Sequence, residues 1–268
     1  MKLGLVGKGR AGTALHNALR DLNAQPHWWW SRRDELSIDN LDAVDVVLIA
    51  VSDRAIAKVA QELARRPNAA QEIWLHVSGS VSGDACRVSE TIPLSCGAMH
   101  PLCALDGETD VMAGCVAGID GEPAARERAN ALAQQLSMRP LVLDSKLKPL
   151  YHAAAVTVAG HAVALFSQAV EMLSACGLDE RTGRDALLPL MKRAIAKLET
   201  MPAETAMTGP VPRGDECTVN GHLKALDSLP DNTRETYQRL ANRSLQLVET
   251  ALTPNTLAAL RKTLRDEP

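Results

Sequence analysis

A chain of 268 residues is long enough for two modest domains, at about 150 residues each. Its formal net charge of -3, with 23% charged and 46% hydrophobic residues, is ordinary for a soluble globular protein and leaves no basic surface for a nucleic-acid partner. Aromatic residues make up only 3%, so the core must be built from Ala, Leu, Val and Ile, which suits a helix-rich α/β protein better than a β-sandwich.

Met1-Lys2-Leu3-Gly4-Leu5-Val6 opens the chain as a strand, because Gly7, Lys8, Gly9 and Arg10 cut the apolar run off far short of a signal peptide. Short apolar runs then alternate with helical stretches: Ala14–Leu22 reads as a helix, His27–Trp30 and Val44–Val51 as strands, Ala55–Leu63 as a helix and Ile73–Val77 as a strand. That alternation predicts βαβ units and a mostly parallel sheet. Runs at Cys96–His100 and Cys115–Ile119, a charged helix near Glu122–Leu136 and a last strand at Pro140–Leu143 complete a first domain of residues 1–144.

From Ser145 the strand signals stop, and residues 145–268 read as an all-α domain with helices near 146–176, 179–200, 216–228, 232–251 and 254–265. Gly177 and the cluster Pro202, Gly209, Pro210, Pro212 and Gly214 punctuate them. The apolar run Ala153–Val170 is broken by Thr157, Gly160, His161, Ser167 and Gln168, which predicts a buried helix and no membrane partner. The cysteines Cys86, Cys96, Cys103, Cys115, Cys176 and Cys217 form no Cys-x-x-Cys pair, and a chain of this size needs no disulfide staples, so they are expected as reduced thiols of a cytoplasmic protein.

Gly7-Lys8-Gly9-Arg10-Ala11-Gly12 matches Gly-x-Gly-x-x-Gly, a pattern that ordinary turns also produce. Here it directly follows a strand and precedes an amphipathic helix. In a Rossmann-type fold Gly7 then makes the tight turn, Gly9 lets backbone approach a pyrophosphate, Gly12 lets helix and strand touch, and the helix N-terminus offers free N–H groups. NAD sites carry an acid about 20 residues further on, whereas this chain has Ser31-Arg32-Arg33, a hydroxyl and two guanidiniums suited to a 2′-phosphate. The expected cofactor is therefore NADP (NADPH); the competing reading is a solvated basic turn paired with Asp34 and Glu35. Strand-end residues Val51, Ser52, Asp53, Ser78 and Gly79 are expected near the nicotinamide ribose, with His100 facing the substrate. Trp28-Trp29-Trp30 reads as strand core and edge packing.

These segments, with His76-Val77-Ser78-Gly79, His100-Pro101, Lys148-Pro149-Leu150-Tyr151-His152-Ala153-Ala154-Ala155 and Thr208-Gly209-Pro210-Val211-Pro212-Arg213-Gly214-Asp215, span most of the chain. Together they resemble a family of proposed NADP oxidoreductases that join a Rossmann-like domain to a C-terminal helical domain of unknown function. That family is related to pyrroline-5-carboxylate reductase and deazaflavin-dependent NADP reductases. The resemblance implies a fold and a cofactor and leaves the substrate open. One departure is Gly160-His161, where a Ser-Asn or similar pair is expected. In a continuous helix His152 and His161 would point to opposite sides.

Hydride transfer needs a group that gives or takes a proton at the substrate heteroatom. His152, Lys148 and His100 are the catalytic candidates, although Pro149 biases Lys148 away from helical backbone; a capping His and a solvated Lys are the plainer readings. Arg213, Asp215, Thr218 and His222 are the substrate candidates, Arg213 as a carboxylate clamp, with a helix-capping turn as the alternative. No His-Glu-x-x-His, zinc-type Cys spacing, Gly-x-Ser-x-Gly or Tyr-x-x-x-Lys occurs, so no metal, hydrolase or short-chain dehydrogenase chemistry is expected. The sequence thus points to an NADP(H)-dependent oxidoreductase acting on a small anionic carbonyl or imine in the interdomain cleft. A non-catalytic NADP(H) sensor is the alternative, and the small residues Ala153–Ala164 suit a homodimer through the helical half.

Overall fold

Seven short strands carry the first half of the chain: β1 (Leu3–Val6), β2 (Trp28–Trp30), β3 (Val46–Ile49), β4 (Ile73–His76), β5 (Ser95–Leu102), β6 (Val116–Gly121) and β7 (Arg139–Val142). They form one sheet in the order β2-β1-β3-β4-β5-β6-β7, parallel throughout except for the antiparallel pair β5 and β6. The computed structural model describes residues 1–88, 95–105 and 112–265. The chain runs from β1 to β2 on one side and to β3 on the other, so β1 and β3 flank the point where strand order reverses. Ligands of open parallel sheets bind beyond the carboxyl ends of the strands at such a point.

Period-two alternation sends strand side chains to two faces. Leu3, Leu5, Val46, Leu48 and Leu75 pack with α1 (Arg10–Asp21) and α3 (Pro123–Gln135), while Val6, Val47, Ile49 and Trp74 pack with α2 (Ile56–Leu63). Along α1 the buried residues Ala14, Leu15, Ala18 and Leu19 recur at helical spacing and form one apolar stripe. Each fully buried Leu, Ile or Val contributes roughly 1.5–3 kcal/mol, so the sheet and its two helical layers give the strand ends a rigid base.

The helical half comprises α4 (Lys148–Val158), α5 (Gly160–Ala175), α6 (Glu180–Ala196), the short α7 (Ala203–Ala206), α8 (Glu216–Leu226), α9 (Asp231–Val248) and α10 (Pro254–Thr263). Two compact units divide the chain at His161 and Ala162, so residues 145–161, read from sequence with the helices, pack with the sheet unit. Val219, Leu223, Leu245, Val248 and Leu260 form the core of the second unit.

Three expectations are corrected. The first helix starts at Arg10, four residues before its first predicted position, because the glycine segment itself supplies the opening turn. The predicted helix 146–176 is divided at Ala159, at φ -102° and ψ -79°, into α4 and α5, with the Ala159 N–H still bonded to Ala155 O. Nor is this stretch buried: residues 145–175 are long and apolar enough to cross a membrane, with a mean hydropathy of 1.5, yet only 6% of the most apolar window is buried.

Candidate active site

Gly7 follows β1 with φ +106°, backbone that a side chain strains against, and its N–H donates to Trp30 O at 2.8 Å. A Cβ on Gly12 would stand 2.1 Å from Gly7 O, so only glycine lets α1 approach the turn this closely. A Cβ on Gly9 would meet nothing within 4 Å; the missing side chain leaves open space. Gly9 caps α1 without a side-chain hydrogen bond, and no acid stands in the first turn, so the positive helix end is uncompensated. Trp29 holds the turn in place: its indole N–H donates to Gly7 O at 2.8 Å, its ring stacks on His16 at 4.0 Å, and the Lys8 ammonium lies 5.3 Å from the ring centre. The packing role read for the tryptophan run thus reaches the glycine turn itself.

A cavity of about 320 Å³ beside this turn is lined by Gly7, Gly9, Ser31, Arg32, Arg33 and Val51. Arg32 forks onto Glu62 of α2 at 3.1 and 3.0 Å, and Lys8 pairs with Asp34 at 2.9 Å. Asp34 also accepts from the Ser31 N–H at 2.8 Å, and the Lys8 ammonium chiefly holds its carboxyl below the usual range. Within the basic turn Arg32 thus pairs with Glu62 and Ser31 with Asp34, while the Arg33 side chain stays exposed.

A second cavity, of about 860 Å³, shares Gly7, Lys8, Gly9 and Val51 with the first and extends past Arg10, Ala11 and Ser52 to Ala104. Beside it the Ser80 hydroxyl donates to Asp53 at 2.7 Å, and the Ser78 hydroxyl accepts from the Ser80 and Val81 N–H groups. Burial opposes the Asp53 charge, but the Ser80 and Ser78 hydroxyls, with His152 and His76, bring its pKa below the ordinary carboxylate value.

Ala104 also belongs to a third cavity, of about 530 Å³, where His100 meets Tyr151 and His152. The Tyr151 hydroxyl and His100 Nδ1 are 3.0 Å apart, and the two imidazoles stand edge to face with centroids 5.7 Å apart. Leu102, Val156 and Val158 supply an apolar wall. Burial, then the neighbouring His152 and Lys148, pulls the His100 pKa down to about 4, so it is neutral at physiological pH. Burial, reinforced by Cys103, pushes Tyr151 up to about 12, so its hydroxyl keeps the proton. Gly79 makes room for both histidines, since a Cβ there would stand 2.7 Å from His100 Nε2 and from His152 Cδ2.

Lys148 adopts helical backbone, φ -55° and ψ -41°, despite Pro149, because a 3-10 turn over Ser145–Leu147 feeds directly into α4. Its side chain is 1% exposed, its ammonium lies 2.7 Å from Asp120 Oδ1, and it is not among the residues that line the cavity. Sequence reading missed Asp120 and Tyr151. A carboxylate closing the apolar run Val116–Ile119 was the visible signal for the first, and the phenol beside His152 for the second.

Arg213, Asp215, Thr218 and His222 lie in the second unit. Asp215 caps α8, accepting from the Thr218 N–H at 3.0 Å and the Thr218 hydroxyl at 2.7 Å, and these bonds hold its carboxyl below the usual range. His222 Nδ1 lies 2.7 Å from the Tyr237 hydroxyl. The loop residues Thr208, Pro210 and Pro212 line a cavity of about 220 Å³ with Met172, Tyr237 and Ser244.

Comparison with solved structures bears on the fold. The chain superposes on a putative NADP oxidoreductase from Bacteroides fragilis with a TM-score of 0.75 at 22% identity, covering 91% of this chain and 98% of that one. A reductive aminase from Aspergillus terreus, in complex with NADPH and ethyl levulinate, gives 0.65 at 15% identity over 97% and 98%. Pyrroline carboxylate reductase from Plasmodium falciparum, with NADP bound, gives 0.62 at 12% identity over 98% and 97%. No curated protein matches the chain in sequence. Residues 115–244 match the domain of unknown function DUF2520, carried on an architecture the chain shares with these oxidoreductase and reductase structures.

Proposed function

We propose that the protein is an NADP(H)-dependent oxidoreductase that transfers hydride to or from a small carbonyl or imine compound. The observation that carries this reading is a run of adjoining cavities within the first unit. It leads from Arg32 and Arg33, past the glycine turn, to His100, Tyr151 and His152. Gly9 and the open first turn of α1 suit a pyrophosphate, and Arg32, Arg33 and Ser31 suit a 2′-phosphate at the β2 end. The solved structures of this fold include four with NADP or NADPH bound, which supports the same cofactor here.

NADPH supplies a hydride at such a site. The chain's own residues would manage the accompanying proton: the Tyr151 hydroxyl keeps its proton beside Nδ1 of neutral His100 and would offer it to the substrate heteroatom, and His152 lines the same cavity. Leu102, Val156 and Val158 give the reacting carbon an apolar side.

We propose also that the protein forms a homodimer through its helical half. Val163, Leu190, Ile195 and Leu198 of the second unit, 54–70% exposed, offer apolar surface that a second copy would cover. A monomeric mass in solution would contradict this.

The test of function is NADPH oxidation, followed by absorbance, against a panel of keto acids, uncharged ketones and cyclic imines. Turnover with any member supports the oxidoreductase; tight NADPH binding with no turnover on the whole panel marks the sensor instead.

A further inference from the structure

One carboxylate ties three segments together beneath the histidines. Asp120, at the end of β6, is 1% exposed and accepts from the Lys148 ammonium at 2.7 Å, the Ser145 hydroxyl at 2.8 Å and the Gly83 N–H at 2.7 Å. Gly83 opens the turn Gly83–Cys86 after the Ser78-Gly79-Ser80 loop, and Ser145 and Lys148 start the approach to α4. Tyr151 and His152 stand three and four residues beyond Lys148, on the next turn of the same helix. The direction in which α4 leaves the sheet, and with it the contact of Tyr151 and His152 with His100, is therefore set at Asp120.

The same pair argues against proton delivery by Lys148. Its ammonium is buried against a carboxylate and does not line the cavity that holds His100, Tyr151 and His152. Donating to a substrate there would leave Asp120 as a lone buried charge, which is strongly disfavoured. We infer that Lys148 is a positioning residue, pinned by Asp120 so that α4 presents Tyr151 and His152 to His100 across Gly79. This rests on reading that cluster as the reaction site.

The pair also places a cation near the cluster, with Asp120 opposing the downward pull of burial on the Lys148 pKa. The groups facing His100 are Tyr151, His152, Asp53 and His76, with Lys148 below. Lys148 adds to burial in keeping both His100 and His76 uncharged, while Asp53 opposes it.

The experiment compares the full-length wild type with Lys148→Met, Asp120→Asn, the double variant and Ser145→Ala, reading thermal midpoint, NADPH affinity, histidine NMR titration and NADPH oxidation. Either single charge variant should lose stability, and the double variant should regain most of it because no lone buried charge remains. In the double variant His100 should titrate at higher pH than in the wild type, and with the pin gone the His100 and His152 ring resonances should shift and turnover should fall several-fold with them. A folded double variant that binds NADPH and keeps wild-type His100 and His152 resonances but loses turnover a thousandfold overturns the proposal and makes Lys148 the proton donor. Ser145→Ala keeps both charges and loosens only the anchor. Shifted His100 and His152 ring resonances and a several-fold fall in turnover are expected, and unchanged resonances overturn the proposal. If the wild type reduces no carbonyl or imine, the functional reading fails, while the NMR comparison still decides the anchor.

Discussion

The imidazole of His100 stands edge-on to that of His152, centroids 5.7 Å apart at an interplanar angle of 80°, and both rings abut the one glycine of Ser78-Gly79-Ser80. These side chains come from β5 and from α4, 52 residues apart in sequence, so their meeting is a property of the fold.

Gly79→Ala should separate them. With the new Cβ 2.7 Å from both rings, one or both must move, and turnover should fall at least tenfold while NADPH affinity changes less than threefold. Steady-state kinetics beside fluorescence titration checks this; unaltered turnover would remove the histidine pair from the reaction.

His152→Ala should leave cofactor affinity nearly intact and abolish turnover, since the residue lines the third cavity but neither of the two beside the glycine turn. Retained turnover in this variant would take His152 off the catalytic list.

Arg32→Ala should weaken NADPH binding selectively. Losing a charge-assisted hydrogen bond costs ~1.5–3 kcal/mol, or roughly ten- to a hundredfold in affinity, and NADH, lacking the 2′-phosphate, should be little affected. Calorimetry with both nucleotides distinguishes the cases, and equal losses would show that Arg32 serves Glu62 alone.

Acid should destabilise the fold through its buried histidines. His76 and His100 are depressed to about 4 from an unfolded value near 6.5, burial being the main cause in each. Between those values the unfolded chain binds more protons than the folded one, so stability falls as pH drops from about 6.5 to about 4 and changes little above that window on their account. His76→Gln should flatten the dependence of the thermal midpoint on pH across this range; an unchanged slope would show that His76 is not buried in its neutral form.

Much of this site was legible in the sequence because its parts are local. The glycine turn, its strand and its helix are contiguous, and the basic turn follows the next strand directly, so pattern alone located the first two cavities. Asp120 and Tyr151 were harder to see because their roles depend on contacts between distant segments: Lys148 lies 28 residues from Asp120, and Tyr151 lies 51 from His100. Likewise Asp215 sits in a motif that suggested a substrate clamp, yet its oxygens are taken by Thr218 at the start of α8. The division of the long helix at Ala159 was not legible because no proline marks it.

The most direct test of the central claim is the ratio of the NADPH and NADH dissociation constants of the wild-type chain, measured by calorimetry. The account predicts NADPH to bind at least tenfold more tightly, through Ser31, Arg32 and Arg33 beside the glycine turn. Equal affinity, or a preference for NADH, would contradict it.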